Sequence, residues 1–250
     1  MVKTFLSYLF DNRIDFFFIF ANISTDNNLS NYGVNIKMYN KIPIETSARH
    51  IHLSEKDFKL LFGEDAEMTF VKELSQPGQF VCAERLTIAG PKGTYENVAI
   101  LGPYRKETQV EISLTDARKL GIRGVIRQSG DIADTPGCTL ISPNASLKID
   151  KGVIVAKRHI HMTPSEAIRY NVKDNDVVCV ITKSFERALI YADVVVRVNK
   201  NFRLAMHVDT DEANAVANET NPYGVIVKLF DNNTYTVDMW LEELLMGISR

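Results

Sequence analysis

The sequence predicts a mainly β protein made of two related halves, and three observations carry that expectation. Short β-branched runs bounded by Gly, Pro or Asn recur through the body of the chain. Helix-start signatures lead only into short segments. The stretch ARHIHLSEKDFKLLFG returns as KRHIHMTPSEAIRYNV: each has Arg-His-Ile-His, then an apolar residue, a hydroxyl residue and an acidic helix start. A second echo pairs SLTDARKLGIRGVI with TPSEAIRYNVKDNDVV. Duplicated supersecondary units of this length indicate two β-rich domains that face one another.

Residues 1–36 form an N-terminal extension. Its aromatic stretch is interrupted by Asp11, Arg13 and Asp15, so the longest clean apolar run is Phe16 to Ala21. A membrane span needs about 18 apolar residues, so none is expected. The acidic residues also break the apolar region that a signal peptide requires. Leu6, Leu9, Phe10, Ile14 and Phe17 recur at helical spacing. An amphipathic docking helix and a packed or poorly ordered extension are equal readings of it. TDNNLSNYG, residues 25–33, reads as the linker to the body.

From about Lys37 to Ala217 the strand-like runs are VAILGP, VIRQSG, GVIVAKRHIH, DVVCVIT, ADVVVRV and FRLAMHVD. Helices are expected in SEKDFKLLFG, with Ser54 as N-cap and Gly63 as stop, in SLTDARKLG, and in MTPSEAIRY with Pro164 in the first turn. Residues 218–250 change character and read as a C-terminal extension: a hairpin from VIVKLF and TYTVDMW, then a short amphipathic helix with Trp240, Leu241, Leu244 and Leu245.

The composition bounds the function. The chain has 250 residues, 45% hydrophobic and 24% charged, which suits one compact unit or two small domains. A net charge of -2 provides no broad cationic surface, so nucleic acid is not an expected partner. Cys82, Cys138 and Cys179 are odd in number and far apart, which fits a reducing, cytoplasmic location rather than a disulfide framework.

The chemistry lies in the histidines. In a strand, residues i and i+2 share a face about 6 to 7 Å apart, so both imidazoles of His-x-His can reach one metal ion. His50 with His52 and His159 with His161 have this spacing, and the fifth histidine, His207, stands before an acidic run. LGPYRKETQVEISL holds Arg105, Thr108, Gln109 and Glu111. By itself this segment reads as a solvated loop. A carboxylate such as Glu111 can nevertheless complete a zinc site, and Arg105 can grip phosphate in a bidentate contact. Five imidazoles and one carboxylate divide into two sites of three ligands each, leaving the open positions of catalytic metals.

IPIETSARHIHLS, GPYRKETQVEISLTDARKLGI, KGVIVAKRHIHMTPSEA and MHVDTDEANA, taken in order, resemble the propanediol-utilisation type phosphotransacylases, or phosphate propanoyltransferases, over about residues 40–217. The resemblance implies two related β-barrel domains capped by short α-helices, with the active site at the domain interface. Domain 1 would comprise residues 37–48 and 157–217; domain 2 would comprise residues 49–156, with a lid over about 63–83. It implies two zinc ions per chain, one on His50, His52 and Glu111, the other on His159, His161 and His207, with Arg105 binding phosphate.

The activity so implied is transfer of a propanoyl or acetyl group between coenzyme A and inorganic phosphate. Phosphate would attack the thioester directly, held by Arg105 and the second zinc, while the first zinc faces the carbonyl and the departing sulfur. A homo-oligomer and shell or lumen proteins of a bacterial microcompartment are the implied partners, and residues 1–24 the implied targeting segment. Two rival readings remain: a dinuclear zinc hydrolase of thioesters or phosphoesters, and a non-catalytic metal-binding module associated with a microcompartment.

Overall fold

The computed structural model describes residues 41–182, 187–216 and 222–227. The expected helix within residues 1–24, its linker, and the expected hairpin return and helix after residue 227 lie outside these residues. Among the described residues no helix is long and apolar enough to cross a membrane.

Alternating burial shapes the first sheet. In β1 (Ile42–Ser47), Ile42 and Ile44 are buried and their neighbours are not. In β12 (Val177–Thr182), Val178, Val180 and Thr182 turn inward. With β11 (His159–Met162), β13 (Leu189–Val198), β14 (Ala205–Asp209) and β15 (Tyr223–Val227) they close a barrel in the order β1-β14-β11-β13-β12-β15. Its core includes Ile42, Ile160, Tyr170, Val180, Val196 and Met206.

Strand β15 lies in the C-terminal extension expected from residue 218. Gly224 pairs with Ile42 of β1, and Ile226 with Val180 of β12, so the start of the C-terminal extension closes the barrel. A glycine is needed there: a Cβ at Gly224 would lie 2.3 Å from Val180 Cγ1. Without β15, β1 and β12 would each present an unpaired edge.

The second half is a nine-stranded sheet that stays open as a half-barrel. It comprises β2 (His50–His52), β3 (Phe70–Glu73), β4 (Phe80–Ala89), β5 (Thr94–Gly102), β6 (Gln109–Glu111), β7 (Ile126–Arg127), β8 (Cys138–Ile141), β9 (Ser146–Ile149) and β10 (Val153–Ala156). The order is β7-β10-β6-β2-β5-β4-β8-β9, with β3 on β4. Two expectations are thereby refined: one barrel is closed, and its relative is not. Apolar side chains cover part of its core instead of further pairing. Phe58 and Leu61 of α1 (Glu55–Phe62) are buried in it, and the Ser142 hydroxyl donates to the Leu61 carbonyl at 2.6 Å.

The internal repeat is a repeat of topology. β2 runs parallel to β5 and antiparallel to β6, with His50 opposite Glu111. β11 runs parallel to β13 and antiparallel to β14, with His159 opposite His207. Glu111 and His207 therefore hold equivalent positions.

The helices echo each other too. α2 (Leu114–Leu120) and α3 (Pro164–Tyr170) start with capping boxes, Ser113 with Asp116 and Thr163 with Glu166, and end on left-handed residues, Gly121 at φ 72° and Asn171 at φ 53°. A third capping box, Asp209 with Glu212, opens α4 (Thr210–Asn214). Asp211 of α4 accepts from the Ser113 hydroxyl at 3.1 Å and the Thr115 amide at 2.8 Å, tying the barrel to the first turn of α2.

Candidate active site

One cavity of about 430 Å³ lies between barrel and half-barrel, and His50, His52, Glu111, His159, His161 and His207 all line it, as does Arg105. The β-ladder explains the convergence, because each pair of i, i+2 histidines faces the opposite sheet and each third residue sits across the ladder from the first histidine. Among the described residues, His50, His52 and Glu111 are the metal-ligating group whose donor atoms all lie within 4.8 Å of one another. In the other trio the ring centroids are 4.6 Å (His159 to His161), 5.3 Å (His159 to His207) and 4.9 Å (His161 to His207) apart.

The rings are aimed by the backbone. His50 Nδ1 lies 2.8 Å from the Ala48 carbonyl, His159 Nδ1 2.8 Å from the Lys157 carbonyl, and His52 Nδ1 3.2 Å from the Leu101 carbonyl. Where Nδ1 donates and the ring is neutral, Nε2 is the nitrogen that carries the lone pair. Glu111 stands 3.5 Å from His50 Nε2 and 4.0 Å from His52 Nε2. Its Oε1 accepts from the Gln109 amide at 2.6 Å and the Ser129 hydroxyl at 2.8 Å.

The two trios differ in charge. Burial favours neutral Glu111, but the facing His50 and His52 hold its carboxyl well below the usual range. Burial likewise opposes charge on His50, yet the Glu111 carboxylate raises it above an ordinary imidazole. The second trio stays neutral. Burial brings His159 and His207 down to about 4, and burial with its histidine neighbours brings His161 down to about 2.

His161 gives the sharpest test of whether this set suits a metal ion. Both its ring nitrogens are buried and, among the described residues, neither has a hydrogen-bond partner, while its face stacks on Phe202 at 4.1 Å. An unsatisfied buried nitrogen costs about 1–3 kcal/mol. A cation bound through one nitrogen removes part of that cost. His50, His52 and Glu111 have the donor spacing that suits a divalent zinc-type ion, and His159, His161 and His207 bring three further imidazoles to the same cavity without that spacing.

Arg105 Nη1 donates to Ser129 Oγ at 2.9 Å, so the Ser129 hydroxyl joins this guanidinium to Glu111. Sequence reasoning missed Ser129, and it missed Arg197, the ladder partner of His161 on β13. Arg197 lines the cavity and, among the described residues, has no ion pair and no side-chain hydrogen bond. Its signal was a single cation inside the β-branched run ADVVVRV. Glu45 and Gln76 were also missed. Glu45 Oε2 lies 3.7 Å from His207 Nδ1 and accepts from the Ser75 hydroxyl. Gln76, from the expected lid segment, donates to the Arg203 carbonyl at 2.9 Å and sits 3.4 Å from His207 Nε2.

No thiol joins this group. Cys82 and Cys138 are buried in the half-barrel core, and burial raises their pKa values to about 11 and about 12. Cys179 is raised too, and none of the three lines the cavity.

Comparison with known proteins places these features. Residues 43–219 match a family model described as Phosphate propanoyltransferase. A phosphate propanoyltransferase of Thermotoga maritima is 56% identical over 187 residues, covering 75% of this chain and 89% of that protein. One of Sebaldella termitidis is 52% identical over 185 residues, 74% of this chain and 87% of that protein. One of Enterococcus faecalis is 50% identical over 189 residues, 76% of this chain and 89% of that protein.

Proposed function

The chain belongs to the phosphate propanoyltransferase family, and from that premise we propose that it moves a propanoyl or acetyl group between coenzyme A and inorganic phosphate at the cavity between its two halves. It is an acyltransferase of the phosphotransacylase type. The observation that carries the finer reading is the convergence of the Arg105 and Arg197 guanidinium groups and six N/O ligands on that one cavity.

Phosphate is an anionic, hindered nucleophile, so its charge must be offset and its approach fixed before it can reach a thioester carbonyl. Arg105, braced by Ser129, and Arg197, from the opposite half, are the cations that bind it. His50, His52 and Glu111 would hold one zinc ion, and His159, His161 and His207 a second. Such ions supply stabilisation for the negative charge that develops on the carbonyl oxygen and on the departing thiolate. One phosphate oxygen forms a bond to the acyl carbon as the carbon–sulfur bond breaks, giving acyl phosphate and coenzyme A thiolate.

Direct attack fits the state of the thiols, because all three are held protonated by burial and lie off the cavity. An acyl-enzyme on cysteine is therefore not part of the scheme. The test is phosphate-dependent release of coenzyme A from propanoyl and acetyl thioesters, with the products identified. Acyl phosphate, lost on chelation, supports the proposal; free acid in its place supports a hydrolase. A folded, metal-loaded protein that releases no coenzyme A from either thioester overturns both.

A homo-oligomer, shell or lumen partners and a place inside a bacterial microcompartment rest on the family resemblance alone. Co-purification of the full chain, but not of a chain lacking residues 1–24, with microcompartments is the result expected. Equal recovery of the two chains overturns the targeting role.

A further inference from the structure

The repeat extends past the ligands. Arg49 precedes His50, and its guanidinium grips Asp116 through two bonds, Nε to Oδ2 at 3.1 Å and Nη2 to Oδ1 at 2.8 Å. Arg158 precedes His159, and its Nη1 donates to Glu212 Oε1 at 2.8 Å while its Nε donates to the Ala192 carbonyl. Asp116 and Glu212 occupy the same place, the third residue of the helix that follows the strand carrying Glu111 or His207. A tyrosine completes each set. The Arg49 guanidinium lies 4.1 Å over Tyr95, while Arg158 lies 5.8 Å over Tyr191, whose hydroxyl donates to the Glu212 carbonyl at 2.6 Å.

Both capping boxes are complete without the arginines, so helix capping does not explain them. What the arginines add is a link between the two ligand strands in each half. Each also controls one peptide group. The carbonyl that accepts from His50 Nδ1 belongs to Ala48, and the peptide it forms is with Arg49; the carbonyl that accepts from His159 Nδ1 belongs to Lys157, joined to Arg158. Fixing the arginine fixes the plane of that peptide, which sets the tautomer and direction of the ring.

We propose that Arg49 and Arg158 are positioning residues, one for each histidine pair, which hold the ligand strands and ring-orienting carbonyls in the geometry that binds a divalent ion. This rests on the two-site reading above. The two clamps act separately, each on its own trio. The bidentate Arg49 clamp, closed on a buried carboxylate, is the stiffer of the two.

Full-length protein stripped of metal and titrated with Zn²⁺ against a chromogenic chelator tests this, with Co²⁺ absorption reporting ligand geometry. Arg49→Met is expected to weaken one of two ions by roughly 10–100-fold and alter its Co²⁺ spectrum, leaving the other ion unchanged. Arg158→Met is expected to weaken the other ion. His161→Ala, which spoils the second trio, should preserve the Arg49→Met effect and remove the Arg158→Met effect. Arg49→Lys keeps charge and one hydrogen bond, so intermediate affinity is expected, and this variant serves if Arg49→Met does not fold. Wild-type affinity and spectra in folded variants, even with lowered melting temperature, overturn the proposal. Wild-type protein that binds fewer than two ions instead overturns the two-site reading, and that failure is visible before any variant is made.

Discussion

The half-barrel trio and the barrel trio share strand order and register, yet they solve the problem of buried polarity in opposite ways. Glu111 gives the first a carboxylate that pairs with His50 and takes hydrogen bonds from Gln109 and Ser129, so it is self-satisfied without an ion. His207 makes the second all-imidazole, and His161 has neither nitrogen satisfied among the described residues. A single ligand exchange at equivalent ladder positions thus separates a charged site from a neutral one. An ion entering the first would displace a proton from His50, whereas an ion entering the second would find neutral rings.

The strongest way to break this contrast is to remove the third ligand from each half. Glu111→Ala removes one partner of a buried ion pair, so metal-free protein should lose about 3 kcal/mol in denaturant unfolding. His207→Ala leaves no charge unpaired and should cost about 1 kcal/mol. Equal losses would erase the distinction between the trios.

Next in size are the two guanidinium groups, one from each half. Charge-assisted hydrogen bonds contribute about 1.5–3 kcal/mol, so Arg105→Ala and Arg197→Ala should each raise the KM for phosphate by roughly 10–100-fold. The KM for acyl-coenzyme A should move little. An unchanged phosphate KM in Arg197→Ala would leave the anion to the half-barrel alone.

Acidity sharpens the comparison further. His159 and His207 have folded values of about 4 against an ordinary 6.5. The unfolded chain therefore binds more protons between those values, and their contribution to stability falls as pH drops from 6.5 to about 4. His50 is raised, so its contribution is complete below 6.5 and is lost as pH climbs through its folded value. Imidazole proton resonances of metal-free protein should show His50 titrating above 6.5 and His159 and His207 near 4. Coincident midpoints would contradict the charge difference.

The smallest effect concerns the brace. Ser129→Ala removes two hydrogen bonds, to Arg105 and to Glu111, but leaves both charged groups in place, so a net loss of about 1 kcal/mol and a roughly 5-fold fall in kcat/KM for phosphate are expected. A larger fall would mean that Ser129 itself touches substrate.

Local chemistry made part of this legible in sequence. The first three helices were readable because Ser54, Ser113, Thr163, Pro164, Gly63 and Gly121 sit where caps and stops must sit. The five histidines were readable because i, i+2 spacing has a meaning within one strand. Arg197, Glu45 and Gln76 were not, since ladder register and loop contacts bring them in; Gln76 meets Arg203 across 127 residues of chain. The long strand β4 escaped notice because two register shifts against β5 blur its alternation. Strand β15 was visible as a strand, but closure depends on which edges remain free, and no single segment encodes that.

The way β15 meets β1 also sets an order of events on the ribosome. Every strand of the half-barrel has been synthesised by Ala156, but the barrel unites its first strand with its last. β1 must therefore wait, one edge unmatched, until Val227 has emerged. A chain ending at residue 216 would carry both histidine pairs and still lack the strand that seals the barrel beside them.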